Sequence, residues 1–238
     1  MTSSIHRHAL ITGAGSGIGQ ATAIAFAQSG FDLVLVGRSI DKLETTAAKI
    51  KSFGVSAQSV AIDLADVATL KAKLQAIDVP IDVLINNAGM GYTNSLLDTS
   101  LEDWQRVMTL NLTSVFQCIQ AIVPQMRDRK RGTIVNVASI AAANAFPGWG
   151  AYSVSKAALV ALSKTLAVEE RSHGIRVVAI SPGSVNTPIW DTDTVQADFD
   201  RAQMLTPDMV AQTILHTVLL PAQAVIEELT IMPSAGAL

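Results

Sequence analysis

Short apolar runs rich in Val and Ile alternate along the chain with longer segments in which apolar residues recur every three or four positions. The runs leave almost no polar position for a solvated face, so they read as strands buried on both sides. Seven are predicted, over 8–12, 32–36, 56–62, 83–86, 133–138, 176–180 and 227–232. The segments between them read as helices, most clearly 18–29, 39–53, 101–127, 151–173 and 207–219. Such a succession brings parallel strands side by side through right-handed crossovers. The predicted fold class is therefore α/β: a doubly wound seven-stranded parallel sheet with helices on both faces. No linker or repeat interrupts the pattern, and residues 1–238 are read as a single domain.

Composition narrows the function classes. A net charge of −3 offers no basic footprint for a nucleic-acid backbone. A mean hydropathy of +0.36 invites a membrane reading, but no run of about 20 apolar residues is unbroken. The charge-free stretch 132–155 contains Asn136, Asn144 and Pro147 and reads as a strand plus a loop. No basic region and apolar core precede the first strand, which argues against a secretory leader. The one cysteine, Cys118, excludes an intrachain disulfide and fits a cytoplasmic location. His6 and His8 form an H-x-H without further ligand candidates nearby, so no metal site is expected.

Chemistry begins at Thr12-Gly-Ala-Gly-Ser-Gly-Ile-Gly19, between the first strand and the first helix. A glycine-rich turn at a helix N-terminus gathers free amides and a positive dipole end, which suits a pyrophosphate. Gly13, Gly17 and Gly19 allow close approach of backbone and ligand, and no Gly-Lys-Ser/Thr follows, which excludes a Walker A loop. Glycines can also simply make a tight turn, but four in seven residues at the first strand–helix junction favour the ligand. The second strand ends Val36-Gly37-Arg38-Ser39. An acidic residue here would accept from the ribose 2′-OH of NAD, whereas an arginine meets the 2′-phosphate of NADP. Arg38 therefore favours NADP(H), although an ordinary solvated arginine opening a helix is the plainer alternative.

Tyr152 and Lys156 stand four residues apart on a predicted helix, hence on one face. A nearby ammonium favours the phenolate and would bring Tyr152 toward a range useful for proton exchange. By spacing alone this is a common helix pair; its position after Ser139, at the end of the fifth strand, gives it weight. Asn86-Asn87-Ala88-Gly89 ends the fourth strand, and Asn111 lies within the long helix that follows.

Together these residues resemble the short-chain dehydrogenase/reductase family, in its single-domain Rossmann-fold branch of about 250 residues. The resemblance spans nearly the whole chain and rests on the glycine loop, Asp63, Asn86-Asn-Ala-Gly89, Asn111, Ser139, Tyr152-x-x-x-Lys156 and Pro182-Gly183 with Thr187. It implies that Tyr152 exchanges a proton with the substrate oxygen, Ser139 holds that oxygen, and Lys156 binds the nicotinamide ribose and depresses the Tyr152 pKa. Asn111 would anchor a water in a proton relay. Asp63 and Asn87 would contact the adenosine side, and Val185 and Thr187 the carboxamide. Gly13, Ser16, Gly17, Ile18, Gly19, Arg38, Pro182 and Gly183 complete the implied cofactor set. Ser16 stands where many NADP-preferring relatives carry a second basic residue. The resemblance also implies a homodimer or homotetramer formed through 101–127 and 151–173.

The implied activity is NADPH-dependent reduction of a small carbonyl compound, reversible as an alcohol dehydrogenase. Tyr92, Ile140, Asn144, Phe146, Trp149, Trp190 and Met204 are expected around the reacting carbon, in a mainly apolar pocket, although loop packing is the commoner use of such aromatics. Residues 184–205 resemble the family's mobile lid, and Asp191, Asp193, Asp198 and Asp200 against Arg201 would discourage anionic substrates. One alternative is a 3-oxoacyl-[acyl-carrier-protein] reductase, whose acidic carrier Arg127, Arg129, Lys130 and Arg131 could meet. Against it, His173 stands where carrier-specific reductases often have arginine, and the chain's end looks more like relatives acting on small semialdehydes and 3-hydroxy acids. A non-catalytic dinucleotide-binding regulator would be expected to lose Tyr152 or Lys156. A sugar-nucleotide epimerase would need a longer substrate region.

Overall fold

The computed structural model describes residues 7–197 and 200–236, so His6 of the H-x-H and Asp198 of the acidic segment lie outside the described residues. Seven parallel strands form one sheet in the order β3-β2-β1-β4-β5-β6-β7. They are β1 (His8–Thr12), β2 (Asp32–Gly37), β3 (Ala57–Ala61), β4 (Val83–Asn86), β5 (Gly132–Val137), β6 (Ile175–Pro182) and β7 (Glu228–Ile231). All seven predicted strands are present, and each boundary falls within two residues of the expected one.

The strand pleat sends alternate side chains to opposite layers. Ala9 and Ile11 of β1, Leu33 and Leu35 of β2 and Val135 and Val137 of β5 pack with helices α1 (Gly17–Gln28), α2 (Ile40–Ile50) and α7 (Pro207–Leu219). Leu10, Val34 and Ile134 point the other way, onto α3 (Leu70–Gln75), α5 (Ser114–Arg129) and α6 (Gly150–Glu170). Helix α3 was not among the clear helical patterns, because only Leu70 and Leu74 of its six residues face the core.

The helix expected over 101–127 is longer and not uniform. It consists of α4 (Leu101–Met108), a π-helical turn over Thr109–Thr113, and α5. By length and composition the run Leu101–Arg129 could cross a membrane; here its apolar side chains Val115, Ile119 and Ile122 are packed under the sheet. Among its described residues, segment 184–205 contains two short 3-10 turns, Pro188–Asp191 and Arg201–Gln203.

The chain winds outward to β3 on one side of β1 and returns through β4 to build the other side. That reversal opens a crevice at the C-terminal ends of β1 and β4, the usual ligand position in such sheets.

Candidate active site

A cleft of about 530 Å³ runs along these strand ends. At one side Gly13, Ser16, Gly17 and Ile18 line it beside Arg38, Asp63 and Asn87; at the other side stand Ser139, Tyr152, Lys156, Pro182, Gly183, Val185 and Thr187. Two expected cofactor residues need comment. Gly19 is not on the cleft wall: a Cβ there would lie 2.2 Å from the Gly13 carbonyl oxygen, so its role is to let α1 pack against the loop. Asn87 lines the cleft but also donates from Nδ2 to the Thr12 carbonyl at 3.0 Å, tying β4 to the glycine loop.

Gly13 and Gly17 have φ of +68° and +52°, the left-handed region that side chains resist. Serine or threonine hydroxyls cap α2, α4 and α7, whereas Ser16 makes no such bond at the start of α1. The first amides of α1 are therefore left for another acceptor. Lys42, in the first turn of α2, also lines the cleft near Arg38, placing a second cation beside the expected 2′-phosphate position. Sequence reasoning looked for that cation inside the glycine loop and missed it; the available signal was its spacing, four residues after Arg38. A glycine cradle, uncapped amides and paired cations without an acidic side chain at the end of β2 fit a phosphorylated dinucleotide.

At the reacting end, the start of α6 presents Tyr152 and then, one turn later, Lys156. Lys156 is 5% exposed. Its Nζ donates to the Val137 carbonyl at 2.8 Å and lies 5.8 Å from the centre of the Tyr152 ring. Burial pushes its pKa down to about 8. Burial also raises the Tyr152 pKa, with hydrogen bonding from Ser139 opposing the rise. The direction at Tyr152 is thus opposite to the expected depression. Desolvation penalises both the phenolate and the neighbouring ammonium, and it sets the direction at each.

Asn111 is fully buried behind the cleft, within the π turn. Its Oδ1 accepts from the Met90 amide at 2.8 Å, and its Nδ2 donates to the Met90 carbonyl at 3.0 Å and to Ser155 Oγ at 3.1 Å. Ser155 in turn donates to the Tyr152 carbonyl at 2.6 Å. The side chain fastens the post-β4 loop to the helix that carries Tyr152.

Of the expected substrate-side residues, Ile140, Phe146, Trp149 and Trp190 line the cleft; Tyr92, Asn144 and Met204 do not. The Tyr92 hydroxyl bonds Asp103, Asn144 caps the Ile140 carbonyl from the surface, and Met204 is buried at the far end of the 184–205 segment. Met90 and Ile189 take their place on the wall; both are loop residues with no local pattern to mark them.

Residues 7–198 match the short chain dehydrogenase family. The chain belongs to that family. Among relatives of this short-chain dehydrogenase, a 3-oxoacyl-[acyl-carrier-protein] reductase of Synechocystis is 36% identical, with 99% of this chain and 98% of that protein covered. An alcohol dehydrogenase from the archaeon Thermococcus sibiricus, solved with 5-hydroxy-NADP, superposes with a TM-score of 0.88 at 27% identity over 96% of this chain and 97% of that one. The glycine betaine reductase ATRR of Emericella nidulans is 31% identical over 94% of this chain, which spans only 18% of that protein's length. This short-chain dehydrogenase is thus an oxidoreductase by family, with structural neighbours that bind NADP.

Proposed function

We propose that this short-chain dehydrogenase is a single-domain NADPH-dependent carbonyl reductase, acting reversibly as an alcohol dehydrogenase on small carbonyl or hydroxy compounds. One observation carries the reading: Ser139, Tyr152 and Lys156 line the same cleft as the glycine loop, Arg38 and Lys42. NADPH, when bound, supplies the hydride. The amides of Ser16–Ile18 take the pyrophosphate, Arg38 and Lys42 take the 2′-phosphate, Asp63 and Asn87 face the adenosine, and Pro182, Gly183, Val185 and Thr187 flank the nicotinamide.

Ser139 Oγ orients the substrate oxygen, and Tyr152, held protonated by its raised pKa, delivers a proton to it. Lys156 holds the ribose, and Asn111 keeps the helix carrying Tyr152 in register; the relay water is what the family resemblance adds at Asn111. A regulator without turnover has no use for a buried lysine beside this phenol. Placement in the cytoplasm and assembly into a homodimer or homotetramer complete the reading; exposed Phe116 on α5 and Val154 on α6 supply apolar surface for the assembly.

Acyl-carrier-bound 3-oxo esters are the second reading, favoured by the Synechocystis relative. The basic run gives it little support, because Arg127 pairs with Glu170 and both Arg129 and Arg131 pair with Asp82. A fluorescence titration with NADPH and NADH, followed by a carbonyl panel read at the cofactor absorbance, tests the proposal. Equal or tighter NADH binding overturns the cofactor preference, and silence across the panel overturns the activity.

A further inference from the structure

The two halves of the cleft differ in what they offer a charged ligand. Among the described residues, its charged lining residues are Arg38, Lys42, Asp63 and Lys156. Arg38 follows β2, three strand spacings or about 14 Å from β5 and Ser139, Lys42 lies in the first turn of α2 beyond it, and Asp63 follows β3, four spacings or about 19 Å away. Lys156 is spent on the Val137 carbonyl and the ribose position. Arg201, the cation of the neighbouring loop, pairs with Asp191. The reacting end is instead walled by Met90, Ile140, Phe146, Trp149, Ile189 and Trp190, all partly exposed.

The aromatic part of this wall is fixed in place. Trp149 stands edge-on to Trp190, with ring centres 5.8 Å apart, and edge-on to Tyr152 at 5.4 Å. Trp190 Nε1 donates to the Val185 carbonyl at 2.7 Å, which locks the indole. The Asn94 backbone N–H donates to the Gly148 carbonyl at 2.7 Å, which holds the loop carrying Trp149 against the post-β4 loop. A rigid aromatic surface offers a flat ring area to pack on, and it offers a carboxylate nothing in exchange for its lost water.

We propose that this end of the cleft selects neutral ring-bearing ketones and aldehydes, with Trp149 and Trp190 as the surface on which the ring rests. The inference depends on the carbonyl-reductase reading above. In the step itself, the carbonyl π bond breaks as its carbon gains a hydride from NADPH, which leaves as NADP⁺. The carbonyl oxygen gains the proton of Tyr152, which recovers one from solvent.

The test compares kcat/KM for cyclohexanone, its open-chain counterpart 2-hexanone and the anion 4-oxocyclohexanecarboxylate at saturating NADPH. Cyclohexanone should exceed 2-hexanone by about tenfold, the scale of one aromatic packing partner, and the anion by more. Trp190→Leu should bring the ring-to-chain ratio toward one. If that variant does not fold, Phe146→Leu should narrow the same ratio. Ligand-observed NMR of cyclohexanol against cyclohexanecarboxylate reads ring binding whether or not turnover occurs, and cyclohexanol alone should show contact. Preference for the anion in either assay, or a ring-to-chain ratio unmoved by the variants, overturns the inference. Absence of NADPH oxidation with every carbonyl, alongside selective cyclohexanol binding, would instead sink only the reductase reading.

Discussion

The two ends of the cleft are made of different material. The cofactor end is mostly backbone: a glycine loop of consecutive residues, the uncapped amides of α1 and two cations, Arg38 just before the cap of α2 and Lys42 in its first turn. The reacting end is side chain: Met90 after β4, Ile140 and Trp149 between β5 and α6, and Trp190 after β6 arrive from three separate segments and meet only after folding. The first end recognises a ligand common to many enzymes, and the second can change without disturbing it.

The sharpest way to separate the two ends is Tyr152→Phe. It should lower carbonyl reduction by about 10²- to 10⁴-fold, the usual worth of a positioned acid, while leaving NADPH affinity close to wild type; steady-state kinetics with a parallel fluorescence titration checks both. Next comes Gly19→Ala, whose new Cβ would meet the Gly13 carbonyl oxygen at 2.2 Å. It should abolish cofactor binding and lower Tm by several degrees in a calorimetric scan.

A third prediction concerns pH. With the Lys156 pKa near 8 in the folded protein and 10.5 in an ordinary lysine, the unfolded chain binds the extra proton between those values. Stability should therefore rise with pH from about 8 toward 10, by a couple of kcal/mol at most. Urea midpoints of the cofactor-free protein should show that rise against Lys156→Met, which lacks the titrating group. Smallest is Arg38→Ala, expected to weaken NADPH about tenfold and NADH hardly at all, with Lys42→Ala following in the same direction by less. Equal losses for both nucleotides would remove the phosphate role.

What could be read from the sequence follows the same division. The strands were legible because a sheet covered on both faces leaves an almost uninterrupted apolar signal, as in 83–86 and 133–138. The glycine loop, Ser139, Tyr152 and Lys156 were legible because each sits at a fixed distance from a strand end. Lys42 escaped because a helical lysine has many ordinary reasons to exist, and Met90 and Ile189 because nothing local says which way a loop side chain turns. Tyr92 went the other way: an aromatic just beyond Gly89 suggests a pocket, yet its hydroxyl finds Asp103 and the ring is buried. The Tyr152 shift was misjudged because spacing reveals a neighbour's charge but not how dry the surroundings are.

The wide turn at Thr109–Thr113 has a consequence for the shape of the long helical rod. An α-helix advances its side chains by about 100° per residue, and a π bulge takes up one extra residue within its turn, so the faces downstream stay where an unbroken helix one residue shorter would set them. Trimming a single amino acid between 109 and 113 would let the rod close up into ordinary winding. Phe116 and Ile122 would keep their outward and inward bearings, whereas the polar clasp at Asn111 would open.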